Sequence, residues 1–219
     1  MYFLPISLAI FLIFLFVIPF LIFMMPAVAF AKLGLHPVAG LAFFWFCLIG
    51  SMINLPVYRK DLDYYYDEDE RTVDITSTFP GIQMPRANQK VIALNLGGAI
   101  LPGLLCLYLL SRVNLSSAFL ATVITTIFSY YLSKPVKGVG IMIPAFIPPI
   151  IAAVAALIFA EKGNAPAVAY ISGVLGTLIG ADLLRIHQIK KFGLSFLSIG
   201  GAGVFDGIFI VGIISVLLA

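Results

Sequence analysis

What this chain can fold into is limited first by its long runs without a charged side chain. Residues 1–31 contain none, and such runs recur to the C-terminus. A transmembrane helix needs about 20 mostly apolar residues. Seven segments meet that requirement, at 2–31, 37–57, 91–111, 113–133, 138–160, 165–184 and 192–219. Of the 219 residues 62% are hydrophobic and 11% charged, against about 25% charged in an ordinary soluble domain. A soluble fold of this size could not cover its surface with so few polar groups. Soluble enzyme, nucleic-acid binder and secreted disulfide scaffold are thereby excluded. The expectation is an all-α, polytopic transmembrane bundle of about seven spans, a single domain over 1–219 with membrane lipid as its surroundings.

The first run would reach about 45 Å as a helix, longer than the hydrocarbon core. Pro5, Pro19 and Pro26 suggest that it tilts or kinks. Ala29-Phe30-Ala31 resembles a signal-peptide cleavage site, but the run is too long for one and no base precedes it.

Charge placement orients the spans. Seven crossings put 58–90, 134–137 and 185–191 on the side of the N-terminus. Those segments hold Arg59, Lys60, Arg71, Arg86, Lys90, Lys134, Lys137, Arg185, Lys190 and Lys191, whereas the other side holds Lys32, Arg112 and Lys162. That asymmetry places the N-terminus in the cytoplasm and the C-terminus outside. Segment 58–90 carries seven of the ten acids, between Asp61 and Asp74. It reads as a cytoplasmic acidic loop, or as a small hairpin in which Val57–Lys60 pairs with Arg71–Ile75. Its run Asp67-Glu68-Asp69-Glu70 is either a solvated tip or a site for a cation or basic partner. Cys47 and Cys106 lie far apart in apolar runs and read as buried thiols. His36 and His187 have no second ligand at helical spacing, so neither a metal nor another cofactor is expected.

Polar groups inside apolar spans need partners there and are where function is sought. Thr122, Thr125, Thr126 and Ser129 form one helical face of hydroxyls, which close helix packing explains. Asn54, before Pro56, and Asn95, before Gly97-Gly98, mark either interrupted helices or clasps between helices. Pro144, Pro148 and Pro149 forbid a regular helix at the start of the fifth span.

Asp182 and Asp206 are the only acids placed within apolar spans. Two such carboxylates brought together would share one proton, the arrangement with which an aspartate pair activates water and protonates a leaving group. Gly200, Gly201 and Gly203 would let a substrate backbone approach closely, with Asn95 as a further binding residue. A regular last helix would bury Asp206 about 20 Å beyond its cytoplasmic end, far from Asp182. Only an unwound Gly200–Gly203 segment brings the two together.

Gly203-Val204-Phe205-Asp206 resembles the Gly-x-hydrophobic-Asp motif of preflagellin peptidases, which are related to prepilin peptidases and presenilin. In those enzymes a second Asp lies on an earlier helix, and Asp182 has that order. The resemblance implies an intramembrane aspartyl protease with Asp182 and Asp206 as catalytic residues. Ala181 stands where presenilin-type enzymes carry Tyr, and Pro144-Ala145-Phe146 precedes the aspartates, whereas their Pro-Ala-Leu follows them. Over its whole length the chain is similar to a prokaryotic family of integral membrane proteins of unknown function. That likeness rests on Ala93–Gly98, Gly180–Leu184 and Gly200–Gly207, and it implies a cell-membrane location without an activity.

Three functions remain open on these residues. One is a peptidase cutting a transmembrane peptide. Another is a small transporter or channel with Asp206 as its proton or cation site. The third is a structural subunit, in which Asp182 pairs with Arg185 or Lys190 and 58–90 binds a partner.

Overall fold

The apolar runs do fold as helices, but four of them surrender one end to a strand. The computed structural model describes residues 6–61, 89–136, 140–186, 196–201 and 207–219. Its main helices are α1 (Ile6–Lys32), α2 (Pro37–Gly50), α3 (Leu101–Leu110), α4 (Leu115–Leu132), α5 (Ile147–Phe159), α6 (Ala165–Thr177) and α7 (Gly207–Leu218). Local chemistry marks their starts. His36 Nδ1 accepts the Val38 N–H at 3.3 Å, ahead of Pro37 in the first turn of α2. Asn114 caps α4 by accepting the Ser116 N–H at 3.0 Å. The proline-rich start of the fifth run stays non-helical until Ile147, with Pro148 and Pro149 inside the first turn of α5, where a missing N–H costs little.

The architecture is mostly helical but not all-α. Strand β1 (Asn54–Asp61) pairs antiparallel with β2 (Gln89–Asn95), which pairs in parallel with β5 (Phe196–Ile199). The short β3 (Lys134–Val136) and β4 (Gly140–Met142) form a separate antiparallel pair. Strand residues therefore occupy parts of the expected helical spans 37–57, 91–111, 138–160 and 192–219. Apolar content alone does not separate a short strand from a helix end, and sheet partners far apart in sequence leave no local mark. The strand β1 takes its partner from Gln89–Asn95; Arg71–Ile75 and the acidic run lie outside the described residues. Parallel pairing needs a long crossover. Here α3 to α6 supply it, so the sheet ties the second run to the last.

Seven full-length crossings are not what the helix lengths give. Among the fully described helices, α4, at 18 residues, and α6 with its extension to Leu183, at 19, are long and apolar enough to cross a membrane; the other apolar helices are shorter. Helix α6 is central. Its Val168, Ala169, Tyr170, Ile171 and Val174 are buried, and α4, α5 and α7 pack around it. Small residues permit the close approach, with Gly176 against Thr125, Gly173 against Ser215 and Gly212 against Tyr170. Many large apolar side chains nevertheless point outward. Phe119, Val123 and Ile127 of α4 and Ile150, Val154 and Leu157 of α5 are exposed. Helix α1 buries Ala29 and Phe30 near its C-terminus, while Phe11, Phe14, Phe16 and Phe20 are exposed. Lys32 Nζ donates to the Leu217 carbonyl at 2.9 Å and caps α7.

Candidate functional site: a polar junction where three glycine-bearing stretches meet

The site begins where helices give way to strands. Beyond Thr177 helix α6 widens into a π-helical segment, Leu178–Leu183, with the Leu184 N–H reaching the Ile179 carbonyl. Gly180 sits directly on α4, since a Cβ there would stand 2.4 Å from the Thr126 carbonyl oxygen. The segment carries Asp182. Its Oδ2 accepts the Gly200 N–H at 2.7 Å; among the described residues this is the carboxylate's only hydrogen bond. Gly200 follows β5 directly and has φ +76, a left-handed conformation that favours glycine.

A second π-helical segment, Leu96–Ile100, leads from β2 into α3. Asn95 holds it. Its Oδ1 accepts the Gly98 N–H at 2.9 Å, and its Nδ2 donates to the Ser51 carbonyl at 2.6 Å and to Asn54 Oδ1 at 3.1 Å. The Ser198 hydroxyl donates to the same Asn54 oxygen. Gly97 lies against α2 so closely that a Cβ would stand 1.9 Å from the Cys47 carbonyl oxygen. Gly200 packs on Ala99, and Gly201 packs on the Asn95 side chain. The stretches 93–98, 180–184 and 200–201, distant in sequence, thus share one junction.

Of the six expected site residues, the structure brings together Asp182, Gly200, Gly201 and Asn95. Asp206 and Gly203 lie outside the described residues, so the separation of the two carboxylates is undescribed. Strand β5 ends at Ile199 and the described part of α7 begins at Gly207. Helices α6 and α7 run antiparallel, with Gly173 meeting Val211 and the Ser215 hydroxyl donating to the Ala169 carbonyl. Carried one turn further, that register sets the start of α7 near Thr177, about one turn from Asp182.

Arg185 turns towards α4. Its guanidinium donates to the Tyr130 carbonyl at 2.6 Å and the Ser133 hydroxyl at 3.2 Å, and stacks 4.2 Å from the centre of the Tyr130 ring. Lys190 is outside the described residues. The hydroxyl face of α4 packs as expected: Thr122 and Thr125 donate back to the Ala118 and Ala121 carbonyls. Ser129 Oγ and Thr177 Oγ1 are buried and have no hydrogen-bond partner among the described residues. Asn54 and Ser198 are junction residues that were not among the expected site residues. Asn54 carried a signal, an amide beside proline; Ser198 carried none, because only strand pairing places it there. Cys47 and Cys106 are buried free thiols. Among the described residues no three His, Cys, Asp or Glu side chains gather as a metal site would require.

A family profile described as "Protein of unknown function (DUF1614)" matches residues 48–218, and the chain belongs to that family. The match takes in the whole junction and leaves out α1 and most of α2. No curated protein and no solved structure matches the chain.

Proposed function

We propose that this DUF1614 protein is a multi-pass membrane protein that hydrolyses a peptide bond of a transmembrane substrate, with Asp182 and Asp206 as its aspartate pair. The bundle supports the membrane placement, since α4 and α5 expose rows of large apolar side chains and the helices meet at small residues such as Gly173, Gly176 and Gly212. The basic residues Arg59, Lys134 and Arg185 lie at its sheet-bearing end, which supports a cytoplasmic placement of that end. One observation carries the peptidase reading: the hydrogen bond from Gly200 to Asp182, which ties the stretch leading to Asp206 to the other aspartate.

In this mechanism the two carboxylates share one proton. The ionised one takes a proton from water as the water oxygen attacks the scissile carbonyl carbon. The protonated one gives its proton to the amide nitrogen as the C–N bond breaks. Gly200 and Gly201 let their own backbone approach closely, Gly200 against Ala99 and Gly201 against the Asn95 side chain, so that Asn95 fixes one wall of the site.

The test is hydrolysis of transmembrane peptides by the reconstituted protein. Asp182→Asn and Asp206→Asn should each lower the rate by about a thousandfold. Hydrolysis that survives either change overturns the mechanism. Proton or cation flux without hydrolysis, lost in Asp182→Asn, would replace it with transport.

A further inference from the structure

The helices that end at the junction are short. Helix α2 has 14 residues and spans about 21 Å; α7 has 12 and spans about 18 Å. The hydrocarbon core of a bilayer is about 30 Å thick. Helix α1, with 27 residues and no charge before Lys32, is about 40 Å long. Its C-terminal part packs antiparallel on α2, Phe30 against Gly40 and Phe23 against Trp45, and meets the end of α7 through Lys32; carried on in that register, its N-terminal half extends past Gly50, where α2 stops. The apolar slab that α1 requires thus extends about 10 Å beyond the ends of α2 and α7.

The junction lies at that level, inside the slab, yet it is not sealed. Asp182 and Ser198 are half-buried and Asn54 is exposed. Groups of this kind at such a depth cannot face lipid. Two further groups beside it need partners. Ser129 Oγ lies where Gly180 meets α4, and Thr177 Oγ1 lies one turn before Gly180; both are buried and unpaired. Buried polar groups of native proteins are paired, with protein or with ordered water.

We infer that a water-filled inlet opens on the sheet-bearing side of the membrane and reaches the Asn54–Ser198–Asp182 junction about 10 Å below the hydrocarbon boundary. The inference rests on the membrane placement proposed above and does not depend on the peptidase chemistry. It names water as the ligand of the site and the sheet side as its only supply.

Single cysteines test it, in full-length protein in lipid vesicles with Cys47→Ala and Cys106→Ala. Ser198→Cys, which exchanges only oxygen for sulfur, reports the junction, and Asn54→Cys reports it should Ser198→Cys fail to insert. Ile127→Cys sits at similar depth on the exposed face of α4, and Lys134→Cys marks the sheet side. The probe is a charged, membrane-impermeant methanethiosulfonate, which reacts with thiolate and therefore needs water. The junction cysteine should react within about tenfold of Lys134→Cys and about 100-fold faster than Ile127→Cys. A junction cysteine as slow as Ile127→Cys overturns the inlet. Equal, fast reaction of both overturns the membrane placement and the inlet with it. Hydrolysis that survives Asp182→Asn would remove the peptidase reading and leave the cysteine contrast intact.

Discussion

The two π-helical segments at the junction use the same backbone device for opposite ends. In each, a widened turn with glycine presses on a neighbouring helix: Gly97 on the Cys47 carbonyl, Gly180 on the Thr126 carbonyl. Such segments are rare and concentrate at functional sites. The polar side chain attached to each differs. Asn95 is buried and makes three hydrogen bonds, to Gly98, Ser51 and Asn54. Asp182 is half-buried and is held by Gly200 alone among the described residues. A neutral amide with its bonds satisfied locks the sheet to the bundle. A carboxylate with spare acceptor capacity and access to solvent is what chemistry requires.

The largest effect should come from the part the two segments share. Gly97→Ala would drive a Cβ into backbone that cannot move aside. It should cost about 3 kcal/mol or more and abolish monodisperse protein in detergent. Gly103→Ala, with nothing within 4 Å of the added Cβ, should leave the melting temperature unchanged or slightly raised. If Gly97→Ala melts like Gly103→Ala, the segments do not pack as closely as described.

Next comes the difference between them. Asn95→Ala strands the Gly98 N–H and the Ser51 carbonyl, a loss of about 2–4 kcal/mol in unfolding experiments. Asn95→Asp keeps the acceptor for Gly98 but sets a carboxylate oxygen against the Ser51 and Asn54 oxygens in a buried site, so it should cost at least as much as Asn95→Ala. Asp182→Asn should cost less than about 1 kcal/mol, because an amide oxygen still accepts the Gly200 N–H. Its effect should appear in activity. A melting temperature that falls as far in Asp182→Asn as in Asn95→Ala would make Asp182 a second structural clasp and erase the contrast.

The same contrast explains what was legible in the sequence. Helical runs announced themselves by their uncharged apolar length of about 20 residues. The proline-broken start of α5 was legible too, because proline acts locally. The strands were not. Val91–Leu94 is as apolar as a helix end, and its partners, Tyr58 and neighbours on one side and Phe196–Ile199 on the other, are set by tertiary pairing. Asp182 stood out by its cost in an apolar run. Its Gly200 partner stands out in the sequence as a residue that admits a close backbone approach, whereas Ser198 does not stand out. The unwinding expected over Gly200–Gly203 falls partly outside the described residues.

The smallest expected effect decides how far water reaches from Asp182 into the seam of α4 and α6. Ser129 Oγ has no protein partner and is fully buried. In a dry seam, Ser129→Ala removes an unsatisfied group and should gain up to about 1 kcal/mol. With an ordered water at the hydroxyl, the same change loses a hydrogen bond and should cost about 0.5–1 kcal/mol. The inlet calls for the second result, read as a lowered melting temperature. Thr177→Val, which keeps the side-chain shape and removes only the hydroxyl, should move the same way. Opposite signs for the two would end the water at whichever hydroxyl loses stability, and gains for both would confine it to the junction itself.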